Sequence, residues 1–480
     1  MGQSRQEIET IAFVSLGCPK NLVDSERMLG LLAEDGLVLT GDARQADAIV
    51  INTCGFLEAS KTESMKEIHD AIRLKSEGQC KRVVVAGCLV QRHKAKLLAE
   101  APGIDRLVGV FDREQIVQAV RGLDNPARED GHYLGKYHEL SNSPDQPAGA
   151  RPTRFFEDDR ARFRLTPRHF AYLRISEGCN QGCAFCTIPS IRGPMRSKPV
   201  EQILAEAREL AADGAVELNL IGQDTTSYGS DIGQADGLAG LLRTLDKQLP
   251  DVHWLRLMYA YPSCFTDDMI RAIGDCDRVV KYIDMPLQHI NDEILTRMRR
   301  RVTRAQIETL LDKLRKWVPG ITLRTTFIAG SPQETDAQHE ELLRFVKDFG
   351  FDMMGVFPFS PEPGTAMGRL EGQVSETVKQ ARLEELMLAQ QEVAFAKAGS
   401  MVGKTVEVLV DRPAETGGKE AWVGRTTAQA PDIDSVTYLR GRELHAGQLV
   451  KAKVTDFQRY DLIAQIPAAP SRRLMVRTSN

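Results

Sequence analysis

The chain has 480 residues and a formal net charge of −4, with 27% charged and 42% hydrophobic residues. That length allows several domains with sizeable cores, and the near-balanced charge gives no global reason to expect nucleic-acid binding. No apolar run approaches the roughly 20 residues that span a bilayer, and the polar, acidic first ten residues are neither a signal nor a transit peptide. Nine cysteines in such a chain point to metal or redox chemistry in a reducing cytoplasm and away from a disulfide framework.

Residues 1–122 read as alternating strands and helices. Ile11–Leu16, Ala48–Asn52 and Val83–Ala86 are short β-branched or apolar runs, and each precedes a helical pattern such as Asn21–Glu34. A Rossmann-like parallel sheet follows. Cys18, Cys54 and Cys88 each lie one or two residues past one of these strands. The carboxyl ends of parallel strands share one edge, where ligands bind. The three cysteines are therefore expected to converge as a metal-cluster site, with Gly17, Gly55 and Gly87 allowing close backbone approach. One such cysteine alone would read as a small buried hydrophobe; repetition at three strand ends favours the site. Cys80, Cys264 and Cys276 show no comparable pattern.

Residues 123–168 lose periodicity and turn Pro-, Gly- and charge-rich, as a linker does. Directly after the run Ala171–Ser176 comes a loop with Cys179, Cys183 and Cys186 in a C-x3-C-x2-C spacing. Three thiols this close cannot lie along one strand or helix face, so the loop must curl around something. Zinc would want a fourth ligand, and none follows within the loop. A four-iron cluster normally takes four cysteines, so three leave one iron open. Gly178, Gly182 and Arg192-Gly193-Pro194 make the stretch a poor core segment.

Six strand-like runs recur between 169 and 399: Ala171–Ser176, Val216–Ile221, Trp254–Tyr259, Tyr282–Leu287, Thr322–Ile328 and Met353–Phe357. Each precedes a helical pattern, which suggests an incomplete β/α barrel with its chemistry at the carboxyl ends of the strands. Gln223, Asp224, His289 and Ser360–Thr365 fall at such ends. His289 is open to an ordinary structural reading as well. Arg256 and Arg324 lie inside strands, where an unpaired charge is costly. Arg297, Arg299, Arg300, Arg301 and Arg304 read as a solvated helix end before an electropositive rim. A long helix covers Ser375–Lys397. Four short strands within 400–468 then suggest a small all-β barrel, followed by a tail from 469 to 480. Residues 400–480 carry twelve Lys or Arg against nine Asp or Glu, a polarity that fits an RNA- or ribosome-facing module.

This three-part plan resembles the radical S-adenosylmethionine (SAM) methylthiotransferases, which combine an N-terminal cluster domain, a radical SAM domain and a C-terminal TRAM barrel. Within that family the wording is similar to the RimO branch, which modifies a small-subunit ribosomal protein, and less to the branch that modifies tRNA adenosine. The residues carrying this are Ser15–Glu26, Glu177-Gly-Cys-Asn180, Ile188-Pro-Ser-Ile-Arg-Gly193 and Arg425–Asp434. Pro19-Lys20-Asn21 stands where the tRNA branch usually has Gln-Met-Asn. Ala329–Thr335 departs from the family's Gly-Phe-Pro-Gly-Glu-Thr, so altered packing of that turn is expected.

The resemblance implies a 4Fe-4S cluster on Cys179, Cys183 and Cys186 whose open iron is chelated by SAM, and a second 4Fe-4S cluster on Cys18, Cys54 and Cys88. It implies radical hydrogen abstraction from the β-carbon of an aspartate of small-subunit ribosomal protein twelve, then transfer of a methylthio group. An electron donor and a sulfur source are implied partners, RNA contact through the barrel is a further one, and Gln223, Asp224, His289 and Arg324 are candidate SAM contacts. The alternatives are a tRNA adenosine methylthiotransferase and a non-catalytic iron–sulfur RNA- or ribosome-binding protein. A 5′-deoxyadenosine assay separates the last from both enzymes.

Overall fold

A computed structural model describes residues 8–125, 131–136, 158–415 and 420–467. Most of the expected linker, and all of the expected tail, lie outside the described residues.

The N-terminal domain is a parallel sheet of β1 (Thr10–Ser15), β2 (Val38–Leu39), β3 (Ala48–Thr53), β4 (Arg82–Gly87) and β5 (Arg106–Val108), in the order β2-β1-β3-β4-β5. β3 is buried along its whole length because helices cover both faces. Alternate residues serve alternate cores: Ile49, Ile51, Val83 and Val85 face one, Val50, Val84 and Ala86 the other. Strand order reverses between β1 and β3, the switch point at which open α/β sheets bind ligands.

The central domain begins with β6 (Phe170–Arg174). A short antiparallel pair, β7 (Ser176–Glu177) with β8 (Arg196–Ser197), brackets the cysteine loop. Then follow β9 (Glu217–Ile221), β10 (Trp254–Leu257), β11 (Val279–Asp284), β12 (Thr322–Ala329) and β13 (Met353–Pro358). β6 and β9–β13 form one six-stranded sheet in chain order, every pair parallel, with β6 and β13 as free edges. This is the expected incomplete barrel. β11 lies three residues earlier than expected. Pro286 cannot donate to a ladder, so Met285–Leu287 leaves the sheet as loop. The final helix runs Glu376–Met401.

The C-terminal domain is a closed five-stranded barrel in the order β14-β15-β16-β18-β17. Its strands are β14 (Thr405–Pro413), β15 (Ala421–Arg425), β16 (Thr437–Arg440), β17 (Leu449–Gln458) and β18 (Asp461–Gln465). β18, a fifth strand not anticipated, pairs antiparallel with β17 and parallel with β16, closing the sheet.

Both flanking domains close the central one. The C-terminal barrel seals its foot and inner face. Arg425 meets Glu217 at 2.6 Å, Arg256 donates to the Thr427 carbonyl at 2.7 Å, and Tyr282 donates to Asp434 at 2.7 Å. Arg256 is thus no stray charge, since Glu217 neutralises it at 2.9 Å. The N-terminal domain covers the opposite mouth, where Arg92 reaches Glu362 in the loop after β13 at 2.8 Å. Among the described residues no helix is long and apolar enough to cross a membrane.

Candidate active site

The loop 178–194 is tied down by its backbone. Cys179 N–H donates to the Gly193 carbonyl (3.2 Å) and Ala184 N–H to the Met298 carbonyl (2.9 Å). Gly178 turns the chain at φ +78, and a Cβ there would lie 2.2 Å from the Pro194 oxygen. Two of its sulfurs accept backbone N–H groups, Cys179 from Gln181 and Cys186 from Ile188, both at 3.4 Å. Cys183 Sγ lies 3.7 Å from the Tyr261 hydroxyl and accepts from Arg300 at 3.7 Å. Arg300 stacks over the Tyr261 ring at 4.0 Å and is only 7% exposed, so it is no solvated helix end. Burial pushes the Cys179 thiol up to about 11 and the Cys186 thiol up to about 12. An apolar pocket disfavours free thiolates; a bound cation reverses that preference.

The second triad assembles from three strand ends. Cys18 caps the helix Pro19–Glu34, Cys54 follows β3, and Cys88 opens the helix after β4. A Cβ on Gly17 would lie 2.8 Å from Cys54 Cβ, and one on Gly55 would lie 2.6 Å from Leu89 Cα, which measures how closely these loops approach. Asn21 stitches the edge together by donating to the Leu16 carbonyl at 2.6 Å, while Asn52 donates to the Asn21 carbonyl at 2.9 Å. Burial raises the Cys88 thiol to about 12 against the pull of Arg192, and the neighbouring charges that push it further are Cys18 and Cys54.

Arg192 joins the two triads. It leaves the radical-type loop six residues after Cys186 and is 2% exposed. Its guanidinium donates to Cys88 Sγ at 3.1 Å, to Asn21 Oδ1 at 3.3 Å, to Asp24 at 2.7 Å and to Glu177 at 3.3 Å. Asp24 also pairs with Arg113 and Arg174, and Asp159 pairs with Arg113, Arg174 and Lys198. Burial alone would raise the Asp24 carboxyl, but Arg192, Arg174 and Arg113 together hold it well below the carboxylate range. Glu177 is likewise lowered against its burial by Arg192 and Arg174. Asp159, at the end of the expected linker, is thus a buried keystone between domains.

The four expected cofactor contacts divide into two pairs. Gln223 donates to Glu177 at 2.5 Å, and Asp224 accepts at 2.5 Å from Gln181 inside the cysteine loop. Both therefore stand against the triad. Arg324 and His289 do not join them. Arg324 is bound by Asp284 (2.7 Å) and Asp434 (3.2 Å), within the contact that docks the C-terminal barrel. His289 is fully sealed, accepts from Asn291 N–H at 3.0 Å, and is pushed down to about 3 by burial and then by His339, Arg382 and Arg297. In the divergent turn, Glu334 accepts from Ser331 N–H and pairs with Arg382, while Thr335 caps the following helix. Cys264, which had no expected role, accepts from Gln181 at 3.1 Å. The bridging role of Arg192 and the contact of Arg300 were not foreseen, because each depends on partners about a hundred residues away.

The donors fit iron–sulfur chemistry. Each triad offers three free thiols. Gln223 Oε1 is buried without a hydrogen-bond partner among the described residues, an acceptor left unused beside the first triad.

The comparisons agree with this architecture. The uncharacterized protein family UPF0004 matches residues 10–109, the radical SAM superfamily residues 173–346 and the TRAM domain residues 402–466. The ribosomal protein uS12 methylthiotransferase RimO of Bdellovibrio bacteriovorus is 43% identical over 471 residues, covering 97% of this chain and 99% of that one. Its counterpart in Trichlorobacter lovleyi is 41% identical over 458 residues, covering 95% and 98%. Among solved structures, the radical SAM methyltransferase TsrM from Kitasatospora setae superposes with a TM-score of 0.52 over 75% of this chain and 77% of that chain, at 15% identity, a likeness of fold alone. A radical SAM domain implies SAM and a 4Fe-4S cluster. With such identity over nearly their full lengths, this chain belongs to the RimO family of radical SAM methylthiotransferases.

Proposed function

We propose that this chain adds a methylthio group to the β-carbon of an aspartate of ribosomal protein uS12. Cys179, Cys183 and Cys186 hold the SAM-binding 4Fe-4S cluster, and Cys18, Cys54 and Cys88 hold a second, auxiliary one. The observation that supports this reading is the Arg192 bridge, which fastens the loop of one triad to Cys88 of the other. The β C–H of aspartate has no acidic proton for a general base to remove, so the bound cofactors supply radical abstraction, sulfur and methyl.

The protein's own residues bind and orient. Gln223 and Asp224 border the SAM side. Arg300 and Tyr261 flank Cys183. Asp24, Glu177, Arg174 and Arg192 fix the spacing of the two loops with charge-assisted bonds. Arg324 and His289 belong to the supporting frame: Arg324 is held by Asp284 and Asp434, and His289 is sealed with the Asn291 N–H on its ring. The reaction also needs a one-electron donor and a sulfur source, and its setting is the cytoplasm. The C-terminal barrel, docked at the foot of the central domain, supplies the surface for RNA contact.

Anaerobically reconstituted protein given SAM, a strong reductant and sulfide, with uS12 and tRNA offered in parallel, tests the reading by mass spectrometry. A methylthio gain on one aspartyl peptide is expected. A gain on tRNA adenosine instead keeps the chemistry and removes the substrate.

A further inference from the structure

The first turn of the helix Pro19–Glu34 carries a charge that the chemistry above does not use. Lys20 is 8% exposed, yet it makes no ion pair with any carboxylate among the described residues. Its ammonium stands 3.1 Å from the centre of the Tyr259 ring. A cation–π contact offsets only part of the cost of desolvating an ammonium.

Tyr259 is itself held for this purpose. Its φ of +59 is uncommon for an aromatic residue. Thr225 N–H on its carbonyl (3.1 Å) and the Asp284 carboxylate on its own N–H (3.3 Å) keep it there. Asp284 is spoken for, since Arg324 binds it at 2.7 Å. The pair also sits between the triads. Lys20 follows Cys18 by two residues, and Tyr261, two residues past Tyr259, is the hydroxyl beside Cys183.

We propose that Lys20 holds the side-chain carboxylate of the substrate aspartate, an assignment that rests on the aspartyl reading above. The carbon to be modified is bonded directly to that carboxylate. A cation fixed beside Cys18 therefore sets the β C–H between the two triads, and a near-isosteric neutral side chain leaves the ammonium without a counter-charge. Lys20 is thus a specificity-determining residue.

The test offers uS12 with either Asp or Asn at the target position to the reconstituted wild type and to Lys20→Met and Lys20→Arg, with iron content measured for each. The wild type is expected to prefer Asp by about 10- to 100-fold, the range of a charged hydrogen bond. Lys20→Met at full iron content is expected to lose most of that preference through a raised KM for the Asp protein, and Lys20→Arg to retain part of it. A wild type that modifies the Asn protein equally well overturns the proposal without any variant. So does an iron-replete Lys20→Met that keeps the full preference. If Lys20→Met does not retain iron, Lys20→Arg with iron but no preference overturns it as well. tRNA offered in parallel separates the two failures: a wild type that modifies neither protein but does modify tRNA fails at the substrate reading instead.

Discussion

Cys179, Cys183 and Cys186 come from eight consecutive residues of one loop, whereas Cys18, Cys54 and Cys88 come from the ends of three different strands. The first triad is a local object, held by hydrogen bonds within 178–194 and two anchors to neighbouring loops. The second exists only once β1, β3 and β4 have paired, because nothing but the sheet brings those residues together. A local site tolerates disturbance elsewhere and fails when its own loop is changed. A convergent site is exposed to any change that moves one strand end. The Arg192 bridge makes them interdependent, because the loop of the local triad supplies a hydrogen bond to the convergent one.

Removing a ligand from each separates the two most strongly. Cys183→Ala is expected to abolish both 5′-deoxyadenosine formation and methylthio product. Cys54→Ala is expected to abolish product while deoxyadenosine still forms. Iron analysis and chromatography of the nucleoside check both, and loss of deoxyadenosine in Cys54→Ala would break the division of roles.

Breaking the bridge comes next. Arg192→Met leaves Asp24 and Glu177 short of a buried partner, and removing one member of such a pair costs about 3–5 kcal/mol. Arg243→Ala, which breaks the exposed pair with Asp268, is the matched control and should cost at most about 1 kcal/mol. Urea midpoints under anaerobic conditions check the contrast. Equal effects would mean that the buried network does not fasten the domains.

Gly17→Ala sharpens the comparison further. Gly17 sits at φ +91, and the added methyl would meet Cys54 Cβ at 2.8 Å. A cost of about 1–3 kcal/mol follows, with iron lost from the convergent triad and kept by the local one. Equal iron loss from both would contradict their separate construction.

The smallest effect near neutral pH is the pH dependence that His289 brings to stability. His289 titrates at about 3 in the fold against 6.5 in the unfolded chain, so between those values the unfolded state binds the extra proton. Its contribution to stability is complete above pH 6.5 and is lost as pH falls toward 3, by at most about 1.4 kcal/mol per pH unit. His289→Gln should flatten that acid limb, and an unchanged limb would remove His289 as its source.

The contrast between the triads also explains what the sequence could disclose. The local triad is legible from spacing alone. The convergent one is legible through the repeated strand-then-cysteine pattern, because parallel strand ends share an edge. The β-branched runs and the long final helix are equally plain, since they follow periods of 2 and 3.6. What stays hidden is pairing at long range. Nothing near Arg324 in sequence says that Asp434, in another domain, will bind it, and nothing near Arg192 points to Cys88. Arg300 reads as one arginine among several on a helix end until the fold turns it onto Tyr261. The misplaced end of β11 has a local cause in Pro286, which an apolar-run criterion overlooks.

The shared interior of the two triads is tested most directly by electron paramagnetic resonance of the reduced protein with both clusters loaded. Spectra of Cys183→Ala and Cys54→Ala, each lacking one cluster, provide the references. Two clusters facing one cavity predict mutual broadening in the wild type that neither variant shows. A wild-type spectrum equal to the sum of the two variants would place the clusters too far apart to act on one carbon, and would contradict the arrangement.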